Sequence, residues 1–341
     1  MKEYTIAVVG ATGMVGRMFL KVLEERRLPV KKYYLFASKR SAGSTVDFMG
    51  EKHTILELTE DCFKGKNIDF ALFSAGGGTS LKFAPIAAAE GITVIDNSSA
   101  WRMDPDVPLV VPEVNPHAIK ECRKGIIANP NCSTIQAMVV LSPIQKKYGI
   151  KRVIYSTYQA VSGAGAAGIN DLDEGAKAYA AGRETPAPKK FDYPIFCNCI
   201  PQIDDFDEDD YTKEELKMVN ETRKILGVPD MAVTATCVRV PVFASHSESI
   251  NLTLENPFEI EDIKALLASS EGVVLVDDVK NKKYPLAADA ADKDEVFVGR
   301  VRIDRSCENS LNMWCVADNI RKGAATNAVQ IAQKYIELMN K

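Results

Sequence analysis

The segment Gly10-Ala11-Thr12-Gly13-Met14-Val15-Gly16 constrains this chain more than any other. It follows the β-branched, apolar run Tyr4 to Val9 and opens a helical pattern from Met14 to Glu25, with Phe19, Leu20, Val22 and Leu23 on one stripe. Glycines at a strand-to-helix turn permit a tight bend and close approach of backbone to a pyrophosphate, which then sits on the free N–H groups of the helix N-terminus. The spacing is G-x-x-G-x-x-G, a variant of the G-x-G-x-x-G fingerprint, so its weight comes from the strand–turn–helix context. A structural βα turn with no ligand is the lesser alternative.

The alternation continues. Tyr33 to Ala37 and Asp69 to Ser74 read as strands, the latter stopped by Gly76-Gly77-Gly78. Leu81 to Glu90 reads as an alanine-rich helix closed by Gly91, and Thr93 to Asp96 as a fourth strand. Strand–helix alternation predicts a parallel sheet covered by helices on both faces. After Gly125 the texture changes. Ser133 to Lys147 reads as a buried helix, and Arg152 to Ala160, Ala232 to Val242, Glu248 to Leu254 and Leu311 to Val316 as longer strands of an antiparallel or mixed sheet. Residues 166–226 read as helical and loop-rich, and a last helix as starting at Asn319. At 341 residues the chain suits two domains. The boundary falls near residue 128: residues 1–128, completed by a C-terminal helix over 319–341, and residues 129–318.

A formal net charge of −4 demands no broad basic face, which argues against duplex nucleic acid as main partner. Nothing approaches the roughly 20 apolar residues of a membrane span, and the N-terminus has no signal-peptide pattern. The eight cysteines form no C-x-x-C pair, which reads as reduced thiols in a cytoplasmic protein. The lone Cys197-Asn198-Cys199 lacks further ligands at zinc spacing, and Asp204 to Asp210 lacks a calcium loop's central glycine and reads as a solvated acidic loop.

Three positions carry chemistry. The end of the second strand reads Ser38-Lys39-Arg40-Ser41, where an NAD site usually places Asp or Glu. Arg40 and Ser41 suit a 2′-phosphate, hence NADP over NAD; a basic surface turn is the alternative. Asn131-Cys132-Ser133-Thr134 puts a cysteine at a helix N-terminus, where the dipole favours the thiolate. Nearby N–H groups and the Asn131 side chain suit an oxyanion. Of three histidines, His53 and His117 read as surface or capping residues, and His246 follows a long strand and suits a proton-transfer role beside Cys132. Cys132 as a buried small hydrophobe and His246 as a structural residue stay open on these grounds.

The runs GATGMVGRMFLKVLEER, ASKRSAG, DNSSAWR, VPEVN, NPNCST, YQAVSGAG, CVRVPVFASHSES and DNIRKGAATNAVQIA together resemble aspartate-β-semialdehyde dehydrogenases over essentially the whole chain. The length between Cys132 and His246 resembles the Gram-positive and archaeal-like branch. The resemblance implies an α/β architecture: a Rossmann-like dinucleotide-binding domain plus an α+β catalytic and dimerisation domain with a mixed sheet. It implies NADPH-dependent reductive dephosphorylation of aspartyl-β-phosphate to aspartate semialdehyde, on the way to lysine, threonine, methionine and diaminopimelate, by a homodimer or dimer of dimers.

Residue by residue, the resemblance makes Cys132 the thioester nucleophile, with Asn131 beside it, His246 the acid/base and Gln159 the group orienting the substrate. It gives the substrate α-carboxylate to Arg239, the amino group to Glu214 and the phosphate to Arg102 and Lys217. It assigns NADP to Gly10, Thr12, Gly13, Met14, Val15, Arg40, Ser41, Ser162, Gly163 and Asn319. The nearest alternative is N-acetylglutamyl-phosphate reductase, against which stand YQAVSGAG and the spacing from Arg239 to His246. Glyceraldehyde-3-phosphate dehydrogenase fits the cofactor turn less well. A non-redox cysteine hydrolase or acyltransferase leaves the glycine fingerprint unexplained, and a catalytically dead sensing module leaves the polar set unexplained.

Overall fold

The computed structural model describes residues 2–339. The chain forms two compact units. One comprises the residues up to Asn131 and those from Ala324 onward; the other runs from Cys132 to Gly323.

The first unit is built on β1 (Tyr4–Val9), β2 (Val30–Ala37), β5 (Leu56–Glu57), β6 (Phe70–Phe73), β7 (Thr93–Asp96) and β8 (Ile126–Ala128). These form one sheet in the order β5-β2-β1-β6-β7-β8, parallel throughout. Counting only these strands, the order is 3-2-1-4-5-6, the doubly wound dinucleotide-binding topology, with its switch point between β1 and β6. A hairpin of β3 (Thr45–Phe48) and β4 (Glu51–Thr54) stands apart from the sheet and has no counterpart in the sequence-based expectation. Helices α1 (Met14–Arg26) and α2 (Gly77–Ala89) follow β1 and β6. The core packs Ile6, Val8, Phe19, Leu23 and Leu72 against Val329, Ile331 and Ala332 of the last helix.

At the switch point only glycine fits. A Cβ on Gly10, whose φ is +84°, would lie 2.3 Å from the Ser74 carbonyl oxygen, and one on Gly16 would lie 2.0 Å from that of Gly10. No side chain caps α1 at Gly13 and no acid occupies its first turn, so its N–H groups are left to an anion.

The second unit starts with α3 (Cys132–Tyr148) and holds β9 (Ile150–Gln159), α4 (Gly165–Ala180), α5 (Lys213–Leu226), β10 (Ala232–Arg239), β11 (His246–Leu254), α6 (Ile260–Ala268), β12 (Val273–Leu275), α7 (Ala287–Ala290), β13 (Val296–Ile303) and β14 (Ser310–Ala317). The sheet order is β10-β9-β11-β14-β13-β12. Pairing is mixed: β10 and β12 run parallel to their neighbours, while β9, β11, β14 and β13 pair antiparallel. Helix α3 is buried on nearly all sides, as its apolar start predicts. Helix α5 opens with a reciprocal capping box between Thr212 and Glu215.

The last helix begins later than the sequence suggests. The Asp318 carboxylate accepts from the N–H groups of Ile320 and Arg321 and holds a turn there. A π-helical stretch over Arg321–Thr326 follows, and regular helix α8 runs from Asn327 to Met339. Residues 340–341 of the expected helix lie outside the described residues. No helix among the described residues is long and apolar enough to cross a membrane.

Candidate active site

The mixed sheet brings its functional side chains to one edge by register alone. Strands β9 and β10 run parallel and end level, Gln159 pairing with Arg239. Strand β11 runs the other way and starts there, with Ser247 opposite Tyr158. His246 pairs with Ala317 at the end of β14, so Asn319 lies just past the same edge. Gln159, Arg239 and His246 are 1%, 5% and 0% exposed, far below what polar residues at strand ends ordinarily show.

Hydrogen bonds tie the group together. The Ala160 N–H donates to His246 Nδ1 at 3.0 Å, and Arg239 Nη1 donates to the Ala160 carbonyl at 2.7 Å. Gln159 Nε2 donates to Glu214 Oε1 at 3.0 Å, and Thr157 Oγ1 donates to Gln159 Oε1 at 3.0 Å, which fixes the orientation of the amide. Gly163 closes the cluster: a Cβ there would fall 2.8 Å from Arg239 Nη1 and 3.2 Å from His246 Cε1 and Nε2. Ser245, left-handed at φ 71°, donates its N–H to Asn319 Oδ1 at 3.0 Å, and Asn319 Nδ2 donates to Ser162 Oγ at 3.0 Å. Asn319 and Ser162 thereby hold the turn that delivers His246.

Cys132 is the first residue of α3 and is half-buried. Burial lowers the pKa of Arg239, opposed by the charge of Glu214 and, less, by that of a Cys132 thiolate. Burial, reinforced by Arg239, pulls the pKa of His246 from 6.5 down to about 3, so the imidazole is neutral; Glu214 opposes this. Lys217 donates to Glu214 Oε2 at 3.0 Å and also pairs with Asp204. These two carboxylates raise its pKa despite burial. The E-x-x-K pair therefore meets on one helix face, and with Glu214 only 4% exposed it is no surface ion pair. A cleft of about 370 Å³ opens beside Arg239, lined by Gly163, Lys190, Gln202 and Asp204 among others. The larger cleft of about 840 Å³, around Glu24, Tyr33 and His53, contains none of these residues.

Three features escape sequence reasoning. Asp204 belongs to the stretch expected as a solvated acidic loop, yet it is Lys217's partner and adopts φ 65°. Glu248, two residues past His246, is fully buried. Neither of its carboxyl oxygens has a hydrogen bond of normal geometry among the described residues. Burial and the Glu214 charge push its pKa well up, outweighing Gln136, which pulls it down. Gln136, one turn into α3, donates to the His246 carbonyl at 3.4 Å. Alternation in β11 marks Glu248 as inward-facing, which was the one available signal.

In the first unit, Arg102 is 8% exposed and donates through Nε to the Asn129 carbonyl and through Nη2 to that of Asn97, both at 3.0 Å. It is not a solvent-facing loop arginine. Asn131 is buried just ahead of α3. Thr12 Oγ1 lies 3.4 Å from Ser41 Oγ, so the glycine turn and the loop after β2 adjoin, with Arg40 exposed beside them. The open N-terminus of α1 and the glycine cradle at Gly10 fit a dinucleotide held by Thr12, Gly13, Met14 and Val15. His53 lies in β4 with its ring 5.4 Å from that of Phe48, and His117 is exposed.

Comparison with known proteins agrees with this geometry. Residues 5–122 match the family described as semialdehyde dehydrogenase, NAD binding domain, and residues 141–322 match semialdehyde dehydrogenase, dimerisation domain. The chain is 57% identical over 336 residues to an aspartate-semialdehyde dehydrogenase of Aquifex aeolicus, covering 98% of each. It is 52% identical to that of Campylobacter jejuni, covering 100% of this chain and 99% of the relative. A crystal structure of aspartate semialdehyde dehydrogenase II from Vibrio cholerae superposes with a TM-score of 0.95 at 48% identity, covering 98% of this chain and 99% of that one. The same enzyme complexed with ASA gives 0.94 at 47% identity, covering 99% of each. The chain belongs to the aspartate-semialdehyde dehydrogenase family.

Proposed function

We propose that this chain catalyses the NADP-dependent reductive dephosphorylation of aspartyl-β-phosphate to aspartate semialdehyde, as a cytoplasmic homodimer or dimer of dimers in amino-acid biosynthesis. The observation that carries the reading is the buried cluster of Gln159, Glu214, Arg239 and His246 beside a helix-terminal cysteine, in a chain whose other unit has a dinucleotide turn. Cys132 attacks the acyl phosphate, forms a tetrahedral oxyanion and expels phosphate, which leaves a thioester. The nicotinamide, when bound, supplies the hydride that reduces it. Arg239 offers a planar fork to the α-carboxylate, and Glu214 an anion to the ammonium group. Gln159, its amide held by Thr157 and Glu214, orients the reacting carbonyl. Arg102 and Lys217 take the phosphate. Because Lys217 already pairs with Asp204, phosphate must displace that carboxylate or share the ammonium group with it.

The test is phosphate-dependent reduction of NADP with aspartate semialdehyde and N-acetylglutamate semialdehyde in parallel. Turnover of the first alone supports the reading, and turnover of the second alone replaces it with the reductase of the same fold.

Preference for NADP rests on Arg40 and Ser41 at the end of β2, with Ser41 touching Thr12. An Arg on a 2′-phosphate contributes roughly 1.5–3 kcal/mol as a charge-assisted hydrogen bond. Arg40→Ala is therefore expected to weaken NADP at least about tenfold and leave NAD nearly unchanged in fluorescence titrations. Equal losses for both dinucleotides would remove Arg40 from the 2′-phosphate.

A further inference from the structure

We propose that Gly323 is a positioning residue for the nucleophile: the turn over residues 318–323 rests on Cys132 with no side chain between them, and so sets where the thiol stands relative to the sheet edge that carries Gln159 and Arg239. The proposal rests on the thioester reading above and adds the part that places its nucleophile.

The contact is close enough to exclude every side chain. A Cβ on Gly323 would lie 2.8 Å from Cys132 Cβ, 3.2 Å from its Cα and 3.4 Å from its carbonyl oxygen. Carbon atoms in contact stand about 3.5–4.0 Å apart, so a methyl group there needs about 1 Å of extra room. The φ of Gly323 lies outside the left-handed region. It is therefore the neighbour, not the backbone conformation, that calls for glycine.

Neither side of the contact can simply back away. Asp318 is buried, and its carboxylate accepts from the N–H groups of Asp292, Ile320 and Arg321. Its carbonyl accepts from the Gly323 N–H at 3.0 Å. Arg321 Nε donates to Asp294 Oδ1 at 2.9 Å. Asn319 ties the same turn to Ser245, just before β11, and to Ser162, just after β9. On the other side, Cys132 opens α3, which is buried on nearly all sides. The turn thus holds the sheet edge through Asn319 and meets the nucleophile through Gly323, and it works as a spacer between them. Its second half is the π-helical stretch over Arg321–Thr326, an irregularity found mostly at functional sites. That Cys132 faces this edge shows in Arg239, whose charged form a Cys132 thiolate favours.

A methyl group added at Gly323 must push either Cys132 or the turn. In both cases the spacing between thiol and sheet edge changes, and a displacement of about 1 Å can cost about 10²-fold in rate. Ionisation of the thiol, which depends on the start of α3, is left in place.

Gly323→Ala is expected to lower kcat about 10- to 100-fold in phosphate-dependent NADP reduction, with KM for aspartate semialdehyde and dinucleotide affinity within about threefold of the parent. Alkylation of Cys132 by iodoacetamide needs no alignment with a bound substrate, and its rate is expected to stay within about threefold. An unchanged kcat overturns the proposal. So does a loss confined to dinucleotide affinity, which would make Gly323 a cofactor contact. Alkylation falling in step with kcat also overturns it, because the thiol would then be covered rather than misplaced. Melting temperatures give a measure that needs no activity. In Cys132→Gly the atom that the new methyl would strike is gone, so adding Gly323→Ala there is expected to lower the melting temperature less than about half as much as in the parent. Equal lowering in both backgrounds, or failure of Gly323→Ala to fold in both, overturns the contact; folding only in the Cys132→Gly background supports it. If the native protein turns over neither semialdehyde, the function proposed above fails, whereas the melting and alkylation comparisons do not depend on it.

Discussion

Replacing Cys132 with serine is expected to lower turnover by at least about 10³-fold while dinucleotide affinity stays within about twofold of the parent. The size follows from chemistry: a serine hydroxyl ionises far less readily than a thiol and is a much weaker nucleophile at neutral pH. The dinucleotide turn lies in the other unit and does not involve Cys132. Steady-state phosphate-dependent NADP reduction, with fluorescence titration of the dinucleotide on the same sample, checks both halves. Turnover above about a tenth of the parent would show that the reaction needs no cysteine thioester.

Arg239→Leu is expected to lower kcat/KM by roughly 30- to 5,000-fold, equivalent to about 2–5 kcal/mol for removing one partner of a buried charge pair. The loss has two origins. The fork that would hold the α-carboxylate disappears, and the Ala160 carbonyl loses its 2.7 Å donor. That carbonyl belongs to the residue whose N–H bonds to His246, so substrate capture and the setting of the histidine fail together. Arg239→Lys keeps the charge but not the planar fork, and it is expected to recover less than a tenth of the lost activity. Full activity in Arg239→Lys would mean that the site asks only for positive charge.

The parts legible in sequence are those governed by local rules. The turn at Gly10 to Gly16 is readable because β1 and α1 flank it within a few residues. Cys132 stood out because a helix begins on it. The E-x-x-K contact of Glu214 and Lys217 follows from helix geometry alone. What stayed hidden depends on strand register. Nothing local says that Gln159 and Arg239 end level, or that β11 then starts beside them at His246. The Ala160 N–H has no sequence signature, since every residue but proline carries one. Asp204 looked like one acid among seven residues of solvated loop because its partner lies on α5. The late start of α8 reflects the Asp318 side chain competing with helix for the N–H groups of Ile320 and Arg321.

Glu248 has a thermodynamic consequence of its own. Its pKa in the folded protein lies well above the ordinary 4.5. Its contribution to stability is therefore complete below about pH 4.5 and is lost as pH rises toward the folded value. Glu248→Gln, which cannot ionise, is expected to melt at a higher temperature than the parent near pH 8 and to lose that advantage near pH 4; a variant less stable at both ends would mean that the side chain is charged in its cavity. At any pH between the ordinary carboxylate value and the raised folded value, each molecule that folds thus draws a hydrogen ion out of the buffer at this position, so there the heat of refolding will track the ionisation enthalpy of whichever buffer provides it.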